Sequence, residues 1–512
     1  VKLLSIGLSE HDHNASYFDG SSVRYHKFER TKQIKHFRFT NAWEWIHELE
    51  SIWNFDISEI DEIAIDFNPF IFTDGPIEYY DDILKNKVLY AQIPDIHNPF
   101  KFYGVNNIWH LNHHYSHSLS TWMLESKDNK PTTRVVIDGI GDGNTVSVFK
   151  GDNLIKIVKI DNGSIGMEME NVGQWLGVKS NLTVDMAGKV MGLQSYGNID
   201  YGFFEKISQY NIEQIKEIFD TEKWKHHKDD ELLHALTPLD WIRTVHEYIG
   251  DLLVNFFGQF ANENEVISYT GGVAQNVVWN TKLLKNFKNI IIPPHSSDEG
   301  TSLGSLEFLR IKNNLPEFQL NDFPYIQNDY APDSEPTEET IKFAAEMLAN
   351  NKIVGWYQKN GEAGPRALGN RSILMNATIP DGKKIINNVK KRENYRPFGA
   401  SVLEENVLDY FENNITDPYM LFTNKFKNNN FPSITHIDGT CRVQTVKKDN
   451  SAYRKLIEEF YKLTGNAIIL NTSLNINGKP ISGYPQNAIE LFYSSPIDYM
   501  IIGNTILKKE NI

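Results

Sequence analysis

Arg134-Val135-Val136-Ile137-Asp138-Gly139-Ile140-Gly141-Asp142-Gly143 decides how the first half of the chain is read. The apolar, β-branched run up to Asp138 is a strand, and a turn of glycine and aspartate follows at once. The same arrangement recurs on both sides of it. Residues 2–8 form a strand that runs into Gly7-Leu8-Ser9-Glu10-His11-Asp12-His13-Asn14-Ala15-Ser16, and residues 266–270 run into Gly271-Gly272-Val273-Ala274-Gln275-Asn276 and a helix over 273–284. Residues 60–66 are a further strand, and 290–292 precede a loop and a helix from Glu299. Two hairpins interrupt the alternation, one around Asp19-Gly20-Ser21 and one joining 145–150 to 154–160 around Gly151-Asp152-Asn153. The chain is therefore α/β with hairpins, not a purely parallel sheet. Polar glycine turns directly after strands are where an open α/β sheet holds its ligand.

A chain of 512 residues implies more than one domain. Residues 313–337 are rich in Pro, Asn and Asp and lack periodicity, which marks a linker and divides the chain into 1–325 and 336–512. Beyond it, 338–348 read as a helix, 353–357, 467–470 and 499–503 as strands, and Asn428-Asn429-Asn430 as a loop tip. From residue 341 onward 22 Lys and Arg stand against 16 Asp and Glu, a net of +6, while the rest carries −21. The acidic part argues against wholesale nucleic-acid binding, and the basic part suits an anionic ligand. The single cysteine, Cys441, excludes a disulfide framework and a thiolate zinc site. No apolar run approaches the roughly 20 residues needed to span a bilayer. Val1 to Gly7 reads as a strand too short for a signal peptide, so the expectation is a cytoplasmic protein without a membrane partner.

His113-His114-Tyr115-Ser116-His117, with the apolar run to Leu124, is helix-sized. His113 and His117 are four apart, so both imidazoles leave one face and can grip one metal ion. Asp298, in Pro293-Pro294-His295-Ser296-Ser297-Asp298-Glu299-Gly300, is either a helix N-cap or the oxygen ligand of that site. Asp138 and Asp142 with Gly139, Gly141 and Gly143 form either a tight hairpin turn or a phosphate-and-cation loop. Gly271 and Gly272 offer backbone N–H groups to an anion. No Walker lysine accompanies them, and the spacing is not that of a dinucleotide site. His11 beside Asp12 can orient or deprotonate a hydroxyl, or be a polar turn. In the basic half, Gly361-Glu362-Ala363-Gly364-Pro365-Arg366-Ala367-Leu368-Gly369-Asn370-Arg371-Ser372 and Lys390-Lys391-Arg392-Glu393-Asn394-Tyr395-Arg396-Pro397-Phe398 present arginine forks that bind phosphate or carboxylate. Asn471-Thr472-Ser473-Leu474-Asn475 adds neutral donors after a strand.

These segments, with Ala187-Gly188-Lys189-Val190-Met191-Gly192-Leu193-Gln194-Ser195-Tyr196-Gly197, resemble the O-carbamoyltransferases of antibiotic and nodulation-factor biosynthesis over nearly the whole chain. The resemblance implies an actin/sugar-kinase-like N-terminal domain and a smaller α/β, acyl-adenylate-forming C-terminal domain. In the latter, carbamoyl phosphate and ATP would give carbamoyl-adenylate. In the former, an acceptor hydroxyl would take the carbamoyl group and AMP would leave. It implies that Arg366, Arg371, Lys390, Arg392, Arg396, Asn471 and Ser473 bind carbamoyl phosphate and ATP, with Arg366, Lys390 and Arg396 catalytic. It implies His113, His117 and Asp298, with Asp138 as a further ligand, for a divalent metal: iron, with magnesium, manganese or zinc as alternatives. Gly139, Gly141, Asp142, Lys189, Gly271, Gly272 and Asn276 would contact the nucleotide, and His11 or Asp12 would handle the acceptor proton. The acceptor is expected to be a small molecule or nucleotide. The alternatives are hydroxymethylpyrimidines in DNA, threonylcarbamoyl transfer to tRNA, and a non-enzymatic ATP-gated binding module.

Overall fold

The computed structural model describes residues 1–39, 44–67, 78–98, 100–180, 182–221, 236–327 and 331–509. The chain forms two compact units. One comprises Val1–Asp161, Asn264–Gln275 and Asn289–Asn328, the other Asn162–Glu263, Asn276–Lys288 and Asp329–Ile512. One crossing between them falls inside the 313–337 stretch. The other crossings have no counterpart in the linear division at 325 and 336, because they follow packing, not composition.

The first unit holds two mixed sheets. In the six-stranded one the order is Val23–Lys27, Asn14–Phe18, Leu3–Leu8, Glu62–Phe67, Ile108–Leu111, Tyr90–Gln92. Leu3–Leu8 is antiparallel to Asn14–Phe18 and parallel to Glu62–Phe67. It is buried along its whole length, as a central strand covered on both faces must be. Trp45, Ile46 and Leu49 of the helix Glu44–Trp53 belong to the core on one side. The helix Thr301–Lys312 also packs against this sheet, where small residues let the backbones approach: Ser5 Oγ donates to Ser302 O at 2.6 Å, and the Ser16 and Ser302 hydroxyls are 2.8 Å apart.

The five-stranded sheet runs Ile290–Ile291, Ile267–Thr270, Thr133–Gly141, Asn144–Lys150, Asn153–Lys159, ending in the expected hairpin. The strand expected to stop at Asp138 continues through the glycines to Gly141, with a register shift between Ile137 and Gly141. The helix expected from 273 starts at Val277, after a 3-10 turn over Gly272–Gln275. The reason is its cap: Asn276 accepts from the N–H groups of Val278 and Trp279, both at 3.2 Å. The helix expected from Glu299 likewise starts two residues later, at Thr301. The histidine helix is His113–Leu119 and stops before the apolar run ends, with Trp122–Leu124 in a separate 3-10 turn.

The second unit is built on an eight-stranded mixed sheet. Its order is Thr423–Lys425, Thr440–Val446, Gly399–Leu403, Ile468–Ser473, Arg371–Met375, Val354–Tyr357, Tyr499–Ile502, Thr505–Lys508. The helices Glu338–Ala349 and Ala452–Thr464 pack on each other, and their buried faces share one apolar core with the sheet. Pro238–Gly258 is the longest described helix; Thr237 accepts from Asp240 N–H and Pro238 takes the first turn, where its missing donor costs nothing. The fold is α/β throughout, as the sequence implies. No described helix is long and apolar enough to cross a membrane.

Candidate metal centre and anion site

His113 and His117 leave a two-turn helix whose N-terminus is capped by Asn112, which accepts from Tyr115 N–H at 3.1 Å. The helix is held close to Thr301–Lys312 by Gly304, where a Cβ would lie 1.8 Å from Ser116 O. Thr133–Gly141 delivers Asp138, and the turn before Thr301–Lys312 delivers Asp298. His113 Nε2 stands 3.1 Å from His117 Nε2, 3.4 Å from Asp138 Oδ2 and 3.5 Å from Asp298 Oδ1. His117 Nε2 and Asp298 Oδ1 are 3.4 Å apart. Ligands bonded to a tetrahedral ion at about 2.0–2.1 Å stand about 3.3 Å from one another, so the four side chains fit one cation, and all four are buried. Asp298 is therefore no helix cap in this structure.

The surrounding contacts orient these ligands. Asp66 faces His113 Nδ1 at 3.1 Å, leaving Nε2 for the centre. Ser9 Oγ donates to Asp298 Oδ2 at 2.8 Å and Gly272 N–H to Asp138 Oδ1 at 2.6 Å. Burial opposes charge on His113, but Asp66 and Asp298 outweigh it and raise its pKa well above the usual value. Burial and the Asp298 charge push Asp138 up, yet His113 and His117 bring it down to about 2. Asp298 is likewise held far below the ordinary carboxylate range, against burial, by His11 and His113. Carboxylates this acidic stay charged, as cation ligands must.

His11 and Asp12 lie beside this centre. His11 Nδ1 is 2.9 Å from Asp12 Oδ2 and 3.8 Å from Asp298 Oδ2. Burial lowers the His11 pKa, but Asp298, Asp12 and Asp138 outweigh it and raise the ring to about 10. Two residues not singled out in the sequence complete the group. His36 Nδ1 meets the same Asp12 Oδ2 at 2.7 Å, and the buried Lys27 ammonium meets Oδ1 at 3.0 Å. Neither stands in a motif; only the strand pairing of Val23–Lys27, the short helix Phe28–Lys32 that follows and the turn beyond it bring them here.

The residues expected to contact a nucleotide are placed variously. Gly271 N–H is spent on Ser296 O at 2.7 Å and Gly272 N–H on Asp138, so the pair does not form an open anion cradle. Gly141 serves packing: a Cβ there would lie 2.1 Å from the His113 ring. Gly139 lies in the same strand. Asp142 accepts from His113 N–H at 2.7 Å and from Tyr80 OH at 2.9 Å, tying the turn to the histidine helix. Lys189 and Asn276 fall in the second unit, where Lys189 meets Glu393 at 3.0 Å and Asn276 caps a helix and meets His246 Nε2 at 3.0 Å.

In the second unit Arg366, Arg392 and Arg396 share one electrostatic neighbourhood with Arg442, which stands in no recognisable motif. Burial, then Arg396, Arg442 and Arg366, lowers the pKa of Arg392 well below its usual value, with Glu393 acting the other way. Burial and Arg396 lower Arg442 as well. Arg442 lines a pocket with Lys383, Tyr395, His436 and Tyr196, and its Nε is buried without a hydrogen-bond partner. Clustered guanidinium groups suit a multiply charged anion. Lys390 is buried and donates to Ser473 O at 2.5 Å, to Ser473 Oγ at 2.9 Å and to Asn475. Asn471 Nδ2 is spent on Ala367 O, Ser401 and Gln444, leaving its buried Oδ1 without a partner. Arg371 differs from the other arginines. It is fully buried over the Tyr357 ring and donates to the carbonyls of Gln358, Lys359 and Asn370 at 2.5–3.0 Å, so it braces the loop instead of facing a phosphate.

One α/β unit thus carries a buried two-histidine, two-carboxylate cluster with the donor set of a cation site, and the other carries an arginine cluster that suits a multiply charged anion. Comparison with known proteins gives the family. The description Carbamoyltransferase N-terminus matches residues 72–306, and Carbamoyltransferase C-terminus matches residues 345–509. The chain belongs to the carbamoyltransferase family. Nodulation protein NolO of Bradyrhizobium diazoefficiens is 31% identical over 448 residues, covering 78% of this chain and 79% of its own. Nodulation protein NolNO of Sinorhizobium fredii is 37% identical over 273 residues, and the match spans 48% of this chain but only 40% of that relative. Among solved structures, HypF of T. kodakarensis is similar with a TM-score of 0.40 and 12% identity, over 62% of this chain and 48% of that one.

Proposed function

We propose that the protein is an ATP-dependent O-carbamoyltransferase that uses carbamoyl phosphate. The arginine field carries this reading: Arg366, Arg392, Arg396 and Arg442 repel one another, and phosphates relieve that repulsion. Carbamoyl phosphate and water give carbamate and phosphate. A carbamate oxygen then attacks the α-phosphorus of ATP, forming carbamoyl-adenylate as pyrophosphate leaves. Arg366, Arg396 and Arg442 would neutralise the phosphates. Lys390, Asn471 and Ser473 would position the carbamoyl group. The NolO likeness and the two family matches support the same chemistry.

The second half-reaction belongs to the first unit. His113, His117, Asp138 and Asp298 would hold a divalent metal, most simply iron, which supplies Lewis acidity towards the phosphate of the adenylate. A cation on Asp298 and Asp138 would offset two of the charges that raise His11, and the neutral ring, oriented by Asp12, would then take the proton of the acceptor hydroxyl while that oxygen bonds to the carbamoyl carbon and AMP departs with the bonding electrons. The acceptor is a hydroxyl of a small molecule or nucleotide, because residues 1–340 carry −21 and disfavour duplex DNA. A location in the cytoplasm, where ATP and carbamoyl phosphate are made, accords with this chemistry. The test supplies ATP, carbamoyl phosphate and a panel of sugars, hydroxymethyl nucleotides and hydroxymethylated DNA. AMP, pyrophosphate and phosphate in equal amounts are expected, with a carbamoylated monomer. ADP formation independent of carbamoyl phosphate would overturn the reading, and transfer to DNA alone would replace the acceptor.

A further inference from the structure

Among the described residues, two groups of imidazole and carboxylate lie in the first unit, and their spacings separate them. Around His113, His117, Asp138 and Asp298 four facing pairs stand 3.1–3.5 Å apart and all the ligand atoms lie within 4.8 Å of one another, a spacing that leaves room for an ion. In the group of His11, Asp12 and His36 the spacings are 2.9 and 2.7 Å, and both imidazoles meet the same oxygen, Asp12 Oδ2. Those are charge-assisted hydrogen bonds, with no room for a cation between the partners.

The other oxygen, Asp12 Oδ1, faces the Lys27 ammonium at 3.0 Å. Lys27 is itself fixed by Glu29 at 3.1 Å and Glu299 at 2.7 Å. The Asp12 carboxylate is thus gripped at both oxygens. The backbone shows that this grip is built at a cost. Asp12 and His36 have φ of 56° and 54°, in the left-handed region that residues other than glycine avoid. His36 N–H donates to Glu29 Oε2 at 2.9 Å, which anchors its strained turn to the same cluster. Within the group only His11 has a side chain as much as 33% exposed, with Nδ1 committed to Asp12 and Nε2 without a partner among the described residues.

We propose that His36 is a positioning residue for carbamoyl transfer: it holds the Asp12 carboxylate so that His11 is fixed through Nδ1 and presents Nε2 to the acceptor. This rests on His11 as the group that takes the acceptor proton. In that step the acceptor O–H bond breaks towards Nε2, the new bond from oxygen to the carbamoyl carbon forms, and the bond to AMP breaks with its electrons leaving on the phosphate. A ring fixed at one nitrogen reaches this arrangement without a search; a ring free to rotate does not.

The test uses the full, metal-loaded chain with His36→Asn and His36→Ala. Asparagine keeps an N–H donor near the place of Nδ1–H. Three measurements are made: carbamoyl-phosphate-dependent exchange of pyrophosphate into ATP, AMP release with water as the acceptor, and the slowly exchanging Nδ1–H resonance of His11, assigned by its loss in His11→Gln. Pyrophosphate exchange should stay within about twofold in every variant, since it reports the other half-reaction. His36→Ala should lower kcat for AMP release by about tenfold or more at unchanged KM for carbamoyl phosphate, and His36→Asn should recover most of it. The His11 resonance should persist in His36→Asn and vanish in His36→Ala. Wild-type AMP release, or a retained resonance, in His36→Ala overturns the proposal. Should that variant not fold, His36→Gln, whose amide is displaced by one bond, takes its place with the same expected loss. Absence of pyrophosphate exchange in the wild type would sink the functional reading, and the resonance alone would then decide the role of His36.

Discussion

Arg371 and Arg442 carry the same side chain and have opposite circumstances. Arg371 is enclosed by three backbone carbonyls and the Tyr357 ring. Truncating it strands those carbonyls, so Arg371→Ala should cost on the order of 3 kcal/mol and show as a lower Tm. Burial, with Arg396, disfavours the charge of Arg442, against the attraction of Asp417. Arg442→Ala should leave Tm unchanged or raise it while raising KM for ATP or carbamoyl phosphate about a hundredfold, as steady-state kinetics would show. Equal loss of Tm in the two variants would erase the distinction. The two halves of the proposed reaction separate in the same way. His113→Ala or His117→Ala should abolish bound metal and transfer yet spare pyrophosphate exchange; metal retained at full occupancy in the double variant, by elemental analysis, would refute the ligand set.

At the scale of elements, the histidine helix is too short to persist alone. It depends on its Asn112 cap and on the crossing at Gly304. Gly304→Ala would drive a methyl group into Ser116 O, and the helices must part. The expected result is a loss of several kcal/mol together with a lower metal stoichiometry, measured by calorimetry and elemental analysis. Normal metal content in a folded Gly304→Ala protein would show that the crossing does not set the centre. Elements were legible in the sequence where their signals are local. The strands of the first half have β-branched runs bounded by Asp-Gly turns, and the histidine pair announces its helix by spacing. The helix after Gly271-Gly272 starts four residues later than the sequence implies because its cap is Asn276, and an asparagine among polar residues is an ordinary sight. Asp298 offered two roles in the sequence; only its distance to His113 and His117 selects one. His36 and Arg442 stand alone in the sequence and acquire meaning through partners far along the chain.

For the whole molecule, the interleaving of the two units was not legible, since nothing in composition marks residues 162–263 and 276–288 as belonging with the C-terminal sheet. Acid sensitivity is a property at this scale. Burial holds His13 and His295 at about 4 and His114 and His246 at about 3. Unfolded histidine titrates near 6.5, so as pH falls below that value the unfolded chain gains protons that the folded one refuses. Each buried ring then withdraws stability on the order of 3 kcal/mol by pH 4. The Tm of the metal-loaded protein should fall steadily from pH 7 to pH 5; a constant Tm would mean these rings are not held neutral. The proposed metal centre would have its own consequence at this scale. Its ligands come from a helix near residue 115, a strand near 138 and a turn near 298, and between the last two the chain leaves the unit and returns. The unfolded chain has no such site, so affinity for the ion is also folding free energy. A free ion concentration a hundredfold above Kd adds about 2.7 kcal/mol to the folded state. Starved of its ion, a population of this protein would lose folded molecules as well as turnover, and occupancy would gauge how much of the first unit is assembled.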